Sequence, residues 1–167
     1  MHNRIKSFPF SADDRSRVLI LGSMPGGESL KRQQYYAHPR NIFWELMDEM
    51  VGAGRHLPYE TRLKILREHC IALWDVARSC RRIGSLDSNI TEAQANDFTK
   101  LFAVAPQIHT IFFNGQKSAT LFRRLVLPDL NREPDLVTLP STSPANASIS
   151  IARKRESWGQ ILAALER

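Results

Sequence analysis

Four short segments gather side chains suited to holding a polyanion and a flat polar ring. In GSMPGG (residues 22–27), Gly22 and Gly26 would let the backbone N–H groups around Ser23 and Met24 approach an anion or a polar base edge, and Pro25 stiffens the turn. In QQYYAHPRNIFW (residues 33–44), Tyr35 and Tyr36 could stack on a base, and His38 and Arg40 could meet a phosphate. Asn41 could cap the following helix or hold a water or a base edge, while Phe43 and Trp44 read as core. FFNG (residues 112–115) presents Asn114, whose carboxamide both donates and accepts. In LPSTSPANAS (residues 139–148), Ser141, Ser143 and Asn146 surround Pro144 in a run small enough to enter a narrow groove and hold phosphates. Each segment also has a plainer reading: a strand-to-helix turn, an N-cap, an Asn-Gly turn and a capping loop.

The elements around these segments explain why they would meet. Residues 18–21, 71–76, 110–113 and 136–139 are short apolar runs soon followed by Gly, Pro, Ser or Asn, the pattern of buried strands. Helical periodicity falls between and after them, over 41–50, 60–69, 96–105, 117–125 and 150–165. Alternating strand and helix predicts a mostly parallel four-stranded sheet in a three-layer α/β/α sandwich, with ligands beyond the carboxyl ends of the strands. All four chemical segments follow or flank those ends.

The 167 residues suit one domain spanning 1–167, without repeats or a long linker. Charged residues make up 24% and no run approaches a membrane span, so no membrane role is expected. Lys and Arg outnumber Asp and Glu by 23 to 17, a net +6 that favours a polyanionic partner. Cys70 and Cys80 form no CxxC pair, so neither a disulfide nor a metal site is expected, nor any cofactor. The opening MHNRIKSFPF lacks the pattern of an export signal, which places the chain in the cytoplasm.

GSMPG and STSPAN resemble, in order, the first and second motifs of the uracil-DNA glycosylase superfamily. YYAHPRNIFW is similar to the FAHPxNRFW segment of mismatch-specific uracil glycosylases, and LWDVARSCRRIGSLDSNI and FFNG look like the hypoxanthine-DNA glycosylase branch. Together the similar segments run from Val18 to Trp158. Two departures bear on the branch. Met24 stands where uracil-removing relatives commonly carry Asn or Asp, and Ser141 stands where single-strand-selective relatives begin HPSPxN with histidine. The hypoxanthine branch shares both losses, and the resemblance to it implies Asn41 as the catalytic residue.

The same resemblance implies that Tyr36, with Tyr35 as the fallback, covers a flipped base, and that Asn114 with Gly22, Ser23 and Met24 reads its edge. His38, Arg40, Ser141, Ser143, Pro144 and Asn146 would contact DNA. The implied reaction hydrolyses the N-glycosidic bond of a deaminated base in single- or double-stranded DNA. The implied enzyme is monomeric and forms no Schiff base, because no lysine falls in the motifs. Uracil or xanthine as substrate, a noncatalytic nucleic-acid or nucleotide module, and a serine hydrolase through Ser141 or Ser143 are the alternatives. No GxSxG elbow supports the last. Arg123, Arg124, Arg153, Lys154 and Arg155 are candidate phosphate contacts, but a basic run on a helix is more often a solvated face, and they are left outside the expected site.

Overall fold

The structure is a computed structural model that describes residues 4–167. Its centre is a parallel sheet of β2 (Val18–Gly22), β3 (Ile71–Asp75), β6 (Thr110–Asn114) and β7 (Asp135–Leu139), in the order β3-β2-β6-β7. Every residue of β2, β3 and β6 is buried. Successive side chains of a strand point to opposite faces, so both faces of the sheet are covered, as the continuous apolar runs predict. Edge strand β7 is only partly buried.

Register puts the strand ends level. Gly22 pairs with Asp75, Leu21 with Phe113, and Asn114 with Leu139. One edge of the sheet therefore carries Asp75, Gly22, Asn114 and Leu139 in a row, and the GSMPGG turn, FFNG and the STSPAN loop all start from it.

The helices lie close to their predicted places. α2 (Phe43–Val51) begins two residues after Asn41, and α3 (Tyr59–Glu68) and α5 (Gln116–Leu125) are each within one residue of expectation. α4 (Phe98–Val104) starts later than residue 96, because Asp97 caps it by accepting from the Thr99 N–H at 3.0 Å. The last helix runs in two pieces, α6 (Ile151–Trp158) and α7 (Gln160–Leu165), joined at Gly159. α1 (Gly27–Arg32) is a short helix after the GSMPGG turn that the periodicity did not pick out.

A second sheet was also not foreseen. β1 (Ile5–Lys6), β4 (Ala77–Arg81) and β5 (Thr91–Ala95) pair antiparallel in the order β1-β4-β5. β4 follows β3 after Val76 alone, so the chain passes from one sheet directly into the other. β5 is mostly exposed and polar, and its pairing with β4 is irregular, so it offers no apolar alternation. Met24, Ala77, Cys80 and Ile90 form a small core of their own at this side.

Two tryptophans fasten loops to the main core. The indole of Trp44 donates to the carbonyl of Tyr35 at 2.8 Å, and that of Trp158 donates to the carbonyl of Pro140 at 2.9 Å. Both rings are fully buried, so these bonds hold the entries to the YYAHPRN and STSPAN segments with no competition from water.

Gly115 sits at the turn after β6 with φ of +95°, and a Cβ there would stand 3.1 Å from that of Ser141. Both the backbone angle and the close approach to the STSPAN loop call for glycine. With ψ of 168° Gly115 lies in a region that essentially only glycine adopts, so Gly115→Ala is expected to cost about 1–3 kcal/mol in urea unfolding. An unchanged midpoint would contradict this.

Candidate active site

The carboxyl ends of β2, β3 and β6 border a cleft of about 720 Å³ whose far wall is the STSPAN loop. That volume lies within the usual range for small-ligand sites and admits a nucleoside. Its lining includes Gly22, Ser23, Met24, Tyr36, His38, Asn41, Asn114, Ser141, Ser143, Pro144 and Asn146, so eleven of the twelve predicted site residues converge on one place. Arg40 does not line the cleft; it is exposed beside it, and its N–H donates to the Nδ1 of His38 at 3.1 Å.

A single residue that the sequence reading passed over joins three of the segments. Thr142 is 1% exposed. Its N–H donates to the Oδ1 of Asn114, and its Oγ1 accepts from the Nδ2 of the same residue, both at 2.9 Å. Its carbonyl then accepts from the N–H of Ile42 at 3.2 Å, next to Asn41. Asn114 thus spends both ends of its carboxamide on the STSPAN loop and keeps one Nδ2 proton uncommitted.

Asn41 is held from several sides. Its Oδ1 accepts from the N–H of Phe43 at 3.0 Å, an Asx turn that caps the start of α2 from one residue outside the N-cap position. The guanidinium of Arg55 reaches in behind the loop, donating to the carbonyls of Asn41 at 2.6 Å and His38 at 2.9 Å while pairing with Glu45. Tyr36 in the same loop has φ of +54°, an angle that bulky residues rarely adopt. Its ring packs on Phe43 with centroids 4.1 Å apart. Tyr35 turns into the core, 3% exposed, and its hydroxyl donates to the carbonyl of Pro9, which leaves Tyr36 as the aromatic of the pair free to meet a base.

The cleft floor holds two buried oxygens without hydrogen-bond partners, the Tyr36 hydroxyl and Oδ2 of Asp75. They converge on Gly22, where a Cβ would stand 2.6 Å from Oδ1 of Asp75 and 2.9 Å from the Tyr36 hydroxyl. Glycine is needed there so that these two side chains can approach the end of β2. Burial, with the nearby charge of Asp87, pushes the Asp75 carboxyl up to about 8 against a partial offset from Arg82. Burial, with Asp75 beside it, raises the Tyr36 phenol above its ordinary value, against a partial offset from the neighbouring Asn114 carboxamide. At neutral pH both groups therefore carry their protons. Asp75 was open to detection, because a carboxylate at the end of the apolar run IALWD occupies the same strand-end position as Gly22 and Asn114.

Other side chains serve the scaffold. Ser23 donates to Asp87 at 2.6 Å, and Met24 is buried in the small second core, so this turn offers its backbone rather than these side chains to the cleft. Ser141 and Ser143 accept from the N–H groups of Ser143 and Ala145. Their hydroxyl protons stay available, whereas those N–H groups are turned inward. Lys154, read as a possible phosphate contact, is instead 5% exposed and donates to the carbonyl of Asn146 at 2.7 Å. Arg155 pairs with Glu49 at 2.7 Å.

Asp75 makes stability depend on pH with a defined sign. Below its ordinary value of 3.8 both folded and unfolded chains hold the proton; between there and about 8 only the folded chain does. Rising pH across that window therefore lowers stability, by at most about 1.4 kcal/mol per pH unit, and the loss ends above it. Urea unfolding between about pH 5 and about pH 8 is expected to show this slope in the wild type and a shallower one in Asp75→Asn. Parallel slopes would refute the assignment.

Comparison with known proteins agrees with this geometry. The sequence profile of the "Uracil DNA glycosylase superfamily" matches residues 8–165. A protein of Methanosarcina acetivorans named "Hypoxanthine DNA glycosylase" is 38% identical over 152 residues, 90% of this chain and 94% of that one. One of the same name from Methanosarcina barkeri is 34% identical, covering 93% and 96%. The solution NMR structure of a Methanosarcina acetivorans protein described as a uracil DNA glycosylase superposes with a TM-score of 0.79 at 36% identity, over 99% of this chain and all of that one. With the family profile spanning nearly the whole length and the cleft built from its two motifs, the chain belongs to the uracil DNA glycosylase superfamily.

Proposed function

We propose that the protein is a DNA glycosylase that hydrolyses the N-glycosidic bond of a flipped, deaminated base, hypoxanthine in the first place, and leaves an abasic site. The observation that carries this is Asn41, fixed by its own Asx turn and by Arg55 at the wall of a nucleoside-sized cleft. Relatives that cover nearly the same length and carry the name hypoxanthine DNA glycosylase support the choice of base.

The residues divide the work as follows. Extrusion of the nucleotide costs a few kcal/mol and is easiest for a mispaired base such as deaminated adenine. Tyr36 covers the flipped ring, and the turn at Gly22, Ser23 and Met24, with the spare Nδ2 proton of Asn114, meets its edge. The protonated Asp75 stands unpaired at the floor, where a keto base presents acceptors. Oδ1 of Asn41, with a lone pair left after its bond to Phe43, orients the attacking water.

As the glycosidic bond breaks, the sugar gains oxocarbenium character and the base leaves with the bonding electrons. Fixed dipoles in a water-poor cleft stabilise that charge separation without a strong base. Among the described residues no lysine lines the cleft, in keeping with hydrolysis by water rather than a Schiff base. His38, Arg40 and the hydroxyls of Ser141 and Ser143, beside Pro144 and Asn146, face the flanking phosphates. Such contacts serve single- and double-stranded DNA alike.

Among the described residues no helix is long and apolar enough to cross a membrane. Among the described residues, the six large apolar side chains that stand exposed are spread over the second-sheet loop, α4, the segment after α5, and α6 and α7. That scatter supports a monomer, which we place in the cytoplasm.

Duplexes carrying hypoxanthine, xanthine or uracil, cleaved by alkali after incubation, test the reading. Hypoxanthine is expected to be released, and release of none of the three would end it. Asn41→Ala is expected to lose roughly 100-fold or more in rate. Its fold should survive with a loss of about 1 kcal/mol from the missing cap. A fully active variant would overturn the role of Asn41.

A further inference from the structure

The loop between β4 and β5 displays two aliphatic side chains to solvent, Ile83 at 62% exposure and Leu86 at 53%. A single exposed leucine is ordinary on a protein surface, and what distinguishes Leu86 is its place at the rim of the cleft. Of the six large apolar side chains that stand exposed among the described residues, Leu86 alone lines the cleft.

The loop is braced against the GSMPGG turn. Arg82, 7% exposed, donates to the carbonyl of Pro25 at 2.6 Å and to that of Gly84 at 2.8 Å. The N–H of Gly27 donates to Ser85 at 2.8 Å, and Ser23 donates to Asp87. Asn89 closes the loop from inside by donating to the carbonyl of Ile83 at 3.0 Å. Leu86 thus projects from the cleft rim on a fixed mount, which spares the ordering cost that a loose loop would bear on binding.

The opposite rim cannot do the same. Its run Ala145, Asn146, Ala147, Ser148 holds only short side chains, and Asn146 is tied down by the Ser141 carbonyl and Lys154. A base taken out of a duplex leaves a gap in the stack, and apolar side chains such as leucine are able to insert between base steps. We propose that Leu86 enters the duplex at the place vacated by the flipped nucleotide, with Ile83 extending the apolar contact along the same groove. The assignment rests on the glycosylase reading. It adds that duplex DNA needs a filler which single-stranded DNA does not.

The test compares base release from hypoxanthine-containing duplex and single-stranded DNA by wild type, Leu86→Ala, Leu86→Met and Ile151→Ala. Ile151, 55% exposed at the start of α6 just after the STSPAN loop, is the competing aliphatic. Leu86→Ala is expected to lose at least about tenfold on duplex, where the unstacking cost must be met. On single strands it should stay within roughly twofold of wild type, and Leu86→Met should restore duplex activity. Its exposure means that the fold should not suffer, as an unchanged melting temperature would show. Equal losses on both substrates, no loss on either, or a duplex-selective loss in Ile151→Ala instead would overturn the assignment. A wild type that releases base from neither substrate would instead bring down the glycosylase reading, and this assignment with it.

Discussion

The site depends on one buried threonine. Thr142 bonds both ends of the Asn114 carboxamide on one side and gives its carbonyl to Ile42 on the other. Through it the end of β6, the STSPAN loop and the loop that carries Asn41 become one body. Hydrogen bonds in such a dry place are stronger than at the surface, and losing one partner strands the other. The aligned strand ends supply the base of the assembly, and Trp44, Trp158, Arg55 and Lys154 fasten its outer parts.

The unfavourable features of the chain gather around the same cleft. Tyr36 bears a left-handed backbone angle, its hydroxyl has no partner, and Asp75 is buried without a countercharge in hydrogen-bond contact. Each of these weakens the fold, and each is placed where a flipped base would lie. Gly22 makes the arrangement sterically feasible, since any side chain there would collide with both groups. The glycine of the first motif therefore clears space for the floor of the cleft as well as for the approach of a ligand.

Much of this was legible in the sequence. Apolar runs located all four parallel strands, and because those runs end at the same edge of the sheet, the three motif segments that leave them had to meet, while YYAHPRNIFW follows α1. What stayed hidden depends on contacts between distant residues. Thr142 lies inside a motif whose serines and asparagine drew attention, and only the fold shows that its neighbours bond to each other while it bonds outward. Asn114 reads as a base-recognition residue, yet half of its hydrogen-bonding capacity goes to Thr142. Lys154 looked like a surface cation because a basic run on a helix usually is one; here it reaches back under a loop. The second sheet escaped because β5, TEAQA, carries no apolar alternation and β1 is two residues long.

The most direct test of this account is the single-turnover rate of base release in Thr142→Ser and Thr142→Val. Serine keeps the hydroxyl that accepts from Asn114; valine keeps the shape and strands the Asn114 amide at a cost of about 1–3 kcal/mol. The account predicts that the serine variant works within roughly threefold of wild type and that the valine variant, though folded, is slower by at least about tenfold, or ~1.4 kcal/mol of barrier. Equal rates in the two variants would show that Asn41 is placed without the help of Thr142, and would contradict the account.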